Sequence, residues 1–139
     1  VTIGDSQTEE VQAVYTVFLT DLAGLDDYLN RSWFDALQQV ATPGLVDAAQ
    51  EAVDVIGQSQ DHAVGTLRGD HESVTITGAT TAAIVGCLDE KDWYLVSDTT
   101  GAPDPGVTRG YYVTIAKLLY QRGRWYVDIW QPTKGACQW

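Results

Sequence analysis

Gln121-Arg122-Gly123-Arg124-Trp125-Tyr126-Val127-Asp128-Ile129-Trp130-Gln131 reads as a turn that feeds a β-strand. Glycine and charged residues sit at the reversal, and an aromatic, β-branched run follows, which suits a pleated, half-buried strand. Strand alternation sends Trp125, Val127 and Ile129 to one face and Tyr126, Asp128 and Trp130 to the other. Upstream, Val107–Tyr120 is a second long β-rich run, so the two predict a hairpin. Further back lie Trp93–Val96 and, after the turn signal Gly78-Ala79, Thr80–Leu88. Before them come Ala63–Leu67 and Ser73–Thr77, which read as one strand interrupted by Arg68-Gly69-Asp70. Asp89-Glu90-Lys91-Asp92 reads as solvated turn, because it lacks the alternating oxygen ligands and central glycine of a calcium loop.

The first third has a helical period instead. Ser6-Gln7-Thr8-Glu9 matches a capping box. Val11, Val14, Tyr15, Phe18, Leu22, Leu25 and Leu29 then form one apolar stripe, with Gly24 and Asp26-Asp27 placed to break or bend it. Trp33, Phe34, Leu37 and Val40 suggest a short second helix. Thr42-Pro43 is a start signal, with Thr as N-cap and Pro at the first helical position. The third helix buries Leu45, Ala49, Ala52, Val53 and Ile56. Helices followed by hairpin strands predict an α+β fold: three N-terminal helices packed on a strongly curved, cone-like antiparallel sheet.

The chain has 139 residues, 45% of them apolar and 19% charged, which suits one domain over residues 1–139 and excludes disorder. Its formal charge is −11, a poor match to nucleic acid or an anionic membrane surface, whose ligands are Lys and Arg. The first 70 residues carry −10 of that charge, so an acidic helical half is set against a nearly neutral sheet half. Met is absent and the chain opens at Val1, as in a mature product whose leader has been removed. Cys87 and Cys137 form no CxxC, and no histidine stands at ligand spacing beside them, so no metal site is expected. Reduced thiols and a single disulfide of an exported protein both accommodate the pair, and Cys137 stands where a bond would tie down the tail.

The element order, together with Val74-Thr75-Ile76-Thr77-Gly78, Thr81–Asp89, Trp93–Gly101, Gly123–Val127 and the terminal Cys137, resembles the nuclear-transport-factor-two-like superfamily. That group shares a cystatin-like cone with ketosteroid isomerase and the polyketide cyclases. The chain is similar to its exported members from high-GC Gram-positive bacteria, often lipoproteins or tethered ectodomains, over about residues 8–138. The resemblance implies a Cys87–Cys137 disulfide. It also implies a cone able to hold a small hydrophobic ligand, with an Asp or His acting as base in the enzymes.

Asp128, between Tyr126 and Trp130, is the candidate base, because such a group needs burial and a polar partner. Its alternative reading is a solvated or paired strand carboxylate. His62, after Asp61 at a helix-to-strand junction, and His71, after Asp70 in a turn, read as exposed or capping residues. Tyr111, Tyr112, Tyr126, Asp128 and Trp130 form a candidate pocket or interface, since Tyr and Trp concentrate at interfaces. The sequence predicts a non-enzymatic, cofactor-free domain at the bacterial cell surface or secreted. Such a domain would bind a protein partner or a second copy or scaffold an envelope assembly, and meet the membrane only through a tether outside this chain. Two alternatives stand beside it: a hydrophobic-ligand binder or isomerase/cyclase-like enzyme, and an ectodomain of a conjugation or secretion channel.

Overall fold

Helix α1 (Ile3–Ala23) lays Val11, Tyr15, Phe18, Leu19 and Leu22 into the core along one face, the period expected of its apolar stripe. The computed structural model describes residues 3–23, 32–58, 60–89, 93–102 and 111–137. Because α1 begins at Ile3, Ser6 lies inside the helix and the expected capping box does not mark its start. Gly24, Leu25, Asp26, Asp27 and Leu29, expected to end the stripe, lie outside the described residues, as does Val107. Helix α2 (Ser32–Leu37) is short, and α3 (Pro43–Gln58) starts where Thr42-Pro43 predicts. The Val46 amide donates to the Thr42 carbonyl at 3.0 Å, which closes the first turn. Val46, Ala49 and Val53 are the buried face of α3, whereas Ala52 is exposed and the Ile56 side chain is outside the described set.

Strands β1 (Asp61–Gly65) and β4 (Trp93–Ser97) pair antiparallel as a separate two-stranded sheet. Strands β2 (Arg68–Ile76), β3 (Thr81–Asp89), β5 (Tyr111–Gln121) and β6 (Arg124–Ala136) form an antiparallel sheet in the order β2-β3-β5-β6. The α+β class therefore holds, with the strands divided between two sheets among the described residues. Arg68-Gly69-Asp70 does not interrupt a strand. It begins β2 and pairs with Asp89, Leu88 and Cys87. Asp89 is likewise the buried end of β3 rather than solvated turn, and it accepts from the Arg68 guanidinium at 3.0 Å. His62 is the second residue of β1, just past the junction with α3 as expected, whereas His71 lies within β2 and not in a turn; their side chains are outside the described set.

The β5–β6 hairpin turns through Arg122 and Gly123, both at positive φ (55° and 79°), the backbone pattern of a two-residue turn whose twist matches the strands. Two bulges then decide where side chains point. Lys117 pairs with Ile129 but Leu118 pairs with Val127, so Asp128 is an extra residue in β6. Simple alternation fails there. Trp125 and Val127 enter the core as expected, but Trp130 joins them on that face and Ile129 is turned outward. In β2, Asp70 pairs with Cys87 and Ser73 with Val85, so His71 and Glu72 together oppose Gly86.

One apolar core joins α1, α3 and the inward residues of the sheet, including Ile84, Leu88, Ala116, Leu118 and Val127. The opposite sheet face carries Val85, Ile115, Lys117, Leu119 and Ile129, of which Val85 (48%) and Ile129 (37%) are large exposed apolar residues. Cys87 and Cys137 form a disulfide with Cα atoms 5.8 Å apart and a sequence separation of 50. Strand β5 lies between β3 and β6, so the segment leaving β6 crosses it to reach Cys87. Closing a loop of that size stabilises a fold by about 4 kcal/mol on the chain-entropy model.

Candidate functional site

Asp128 bulges from β6 toward the start of α3. Its Oδ1 accepts the Thr42 hydroxyl proton at 2.9 Å in a half-buried setting. The backbone reinforces this contact: the Thr42 amide donates to the Val127 carbonyl at 2.9 Å, and the Val127 amide donates to the Val40 carbonyl at 2.8 Å. A carboxylate at the N-terminal end of a helix is also favoured by the helix dipole. This arrangement fastens α3 to the sheet edge.

Trp130, on the core face, donates its indole N–H to the Tyr15 hydroxyl at 3.1 Å and meets Phe18 edge-to-face at 5.8 Å. Phe18 in turn stacks on Tyr15 at 6.2 Å. These three rings fill the space between α1 and the sheet. Burial holds the Tyr15 hydroxyl protonated well above the ordinary range; the Trp130 bond opposes that shift, and the charge of Glu72 adds to it. Beside Phe18, Leu22, Leu45, Ala48, Ala52 and Trp130 lies an apolar cleft of about 190 Å³, with Ala48 and Ala52 exposed at its rim. No acid is among its described lining residues.

Of the five residues expected to share a pocket or interface, Trp130 faces the core, away from Tyr126. Tyr126 lines another cavity, of about 230 Å³, with Phe34, Gln38, Asp47 and Arg122. Tyr112 is half-buried on β5, and the Tyr111 side chain is outside the described set. Asp128 stands at the bulge between Tyr126 and Trp130 and lines neither cavity.

Desolvation acts on other carboxyls: burial raises the pKa of Asp21 on α1 and of Glu72 on β2. Glu72 borders a cleft of about 250 Å³ between α1 and β2, with Thr16, Leu19, Thr20, Arg68 and Asp70. Its Oε2 is buried without a hydrogen-bond partner. Burial raises its pKa; a hydrogen bond with Gln12 opposes this and the Asp70 charge adds to it. Sequence reading missed it because a lone Glu in a β-rich run looks solvated. The one available signal was glycine at both Gly69 and Gly86, where an added Cβ would come within 2.5 Å and 2.9 Å of the Glu72 side chain.

No protein-family model matches the sequence, and no curated protein matches it either. Solved structures do match in shape. A protein from Nostoc punctiforme PCC 73102, described as having a cystatin-like fold, superposes with a TM-score of 0.53 at 9% identity, covering 95% of this chain and 92% of that one. The fold is cystatin-like. The intermembrane space region of the chloroplast protein ARC6 shares it with a TM-score of 0.62 at 14% identity, over 95% of this chain and 98% of that one. So does TraH, named as a transfer protein of the Gram-positive conjugative plasmid pIP501, with a TM-score of 0.53 at 7% identity over 91% and 93% of the two chains. At such identities the cystatin-like likeness concerns architecture, the cone expected from the order of helices and strands.

Proposed function

We propose that this chain is a non-enzymatic, extracytoplasmic domain that binds a protein partner or a second copy through the outer face of its sheet. The observation that carries this reading is the distribution of apolar surface. Inside, Phe18, Tyr15 and Trp130 occupy the cone, and the apolar cleft beside them, about 190 Å³, falls below the roughly 300 Å³ at which ligand pockets begin. Outside, Val85 and Ile129 stay exposed around Lys117 on the sheet half that carries almost none of the net negative charge, whereas the likewise exposed Val17 and Val55 stand on the acidic helical half. An association face with few like charges suits a chain of −11.

The disulfide supports the compartment, because such bonds persist outside the reducing cytosol. The finer reading is an exported member of the nuclear-transport-factor-two-like group from a high-GC Gram-positive bacterium, held at the cell surface by a tether. The likeness to TraH supports placing it as an ectodomain of a conjugation or secretion channel. The rival reading, a hydrophobic ligand or isomerase-type reaction in the cone, has less support, since the apolar cleft has no acid among its described lining and Asp128 serves as a structural tie.

Photo-crosslinking residues placed at Val85, Ile129 and Val55 in the producing cell test the proposal. Val55 is the control, exposed on α3 away from the sheet. A discrete adduct from Val85 and Ile129 but not Val55 is expected; equal adducts from all three positions, or none, would overturn it.

A further inference from the structure

We propose that Glu72 is a proton-operated catch between α1 and the sheet: a neutral carboxyl holds α1 closed over β2, and an ionised one loosens that contact. The geometry singles this side chain out. The β2 bulge sets His71 and Glu72 against the single residue Gly86, and the Glu72 side chain lies over Gly86 and Gly69 in space that a Cβ at either would occupy. The two glycines thus leave room for a carboxyl under α1, with Oε2 out of reach of any donor.

The groups that face Glu72 suit its neutral form. From α1, Gln12 supplies one uncharged hydrogen bond and Tyr15 a neutral phenol. Thr16 and Thr20, at the cleft wall, already donate their hydroxyl protons to the carbonyls of Gln12 and Thr16 at 3.0 Å each. Those hydroxyls retain lone pairs and have no proton to give, so they can accept from a carboxylic acid but cannot stabilise a carboxylate. From β2, Asp70 adds a like charge, and the Arg68 guanidinium is turned to Asp89 of β3. Among the described residues, a carboxylate at this half-buried position would have one neutral donor and a negative neighbour, which is unfavourable.

The sign follows from linkage. A carboxyl whose pKa is raised in the folded state binds its proton more tightly there than in the unfolded chain. Stability is therefore highest below the unfolded carboxyl's pKa and falls as pH rises through the raised, folded value. Each unit between the two values corresponds to about tenfold in the closed-to-open equilibrium. Ambient acidity thereby sets how firmly α1 sits on β2. This inference does not depend on what the outer sheet face binds.

Hydrogen–deuterium exchange of α1 amides, corrected for intrinsic rate and compared at neutral and mildly acidic pH, tests the catch. The parent chain should be several-fold better protected in acid, and Glu72→Gln should lose most of that difference, the remainder being that of Asp21, whose carboxyl on α1 is also raised by burial. A carbon-13 titration of the Glu72 carboxyl in the parent chain should report a midpoint above that of a free glutamate. Protection of the parent chain that does not change with pH would overturn the proposal, as would an unshifted carboxyl or a Glu72→Gln chain that keeps the parent's pH dependence. Failure of Glu72→Gln to fold would also overturn it, because the neutral isostere should be at least as stable as the parent at neutral pH.

Discussion

The indole N–H of Trp130 is bonded to the hydroxyl of Tyr15 at 3.1 Å, across 115 residues of sequence. The contact joins the first helix to the last strand and closes the cone with two rings that each have their polar atom satisfied. It exists because Asp128 bulges. Without that extra residue Trp130 would face away from the core, as strict alternation requires.

Removing this plug should be costly. Trp130→Ala is expected to destabilise by about 3–5 kcal/mol, the range for a large aromatic in a core. Tyr15→Phe, which leaves the indole N–H without its partner, should cost about 1–3 kcal/mol. Urea denaturation measures both. A loss under about 1 kcal/mol for Trp130→Ala would mean the ring is not packed as described.

Asp128 should behave as a tie and not as a base. Asp128→Ala and Thr42→Val are each expected to destabilise by about 1 kcal/mol, the scale of one hydrogen bond. The double variant should lose less than the sum, with a coupling energy of about 1 kcal/mol in the cycle. Strict additivity would show that the two side chains do not interact in solution.

Titration of the unfolded, unreduced protein should find essentially no free thiol, since both cysteines are bonded. Replacing Cys87 and Cys137 together by Ser should lower stability by about 2–5 kcal/mol. Two reactive thiols would remove the main support for an extracytoplasmic setting.

With a formal charge of −11, the folded chain repels itself at neutral pH, and salt screens that repulsion. Melting temperature should rise between low ionic strength and about 0.5 M salt, where the screening length is only a few ångströms. The same rise should appear with several different salts. An unchanged or lower value would indicate that the acids are already compensated in the fold.

The sequence carries clear signals for the local features. Apolar spacing from Val11 to Leu22, the Thr42-Pro43 start of α3 and the turn at Arg122-Gly123 are all encoded within a few residues, and each appears where expected. The two bulges are not local. Whether Asp128 or Glu72 is the extra residue depends on strands β5 and β3, so no period read along one strand reveals it. The candidate site changed for that reason. Trp130 left the company of Tyr126 and Asp128, and the desolvated acid on the sheet became Glu72, whose burial depends on glycines at Gly69 and Gly86, one of them on the neighbouring strand.

In the proposed function the interior is filled and the outer sheet face does the binding. The adduct yield from a photo-crosslinker at Ile129 tests it most directly when compared in two backgrounds. Ala52→Phe fills the apolar cleft beside Trp130, and Val85→Glu charges the outer face. The account predicts an unchanged adduct with Ala52→Phe and its loss with Val85→Glu; loss with Ala52→Phe and persistence with Val85→Glu would contradict it.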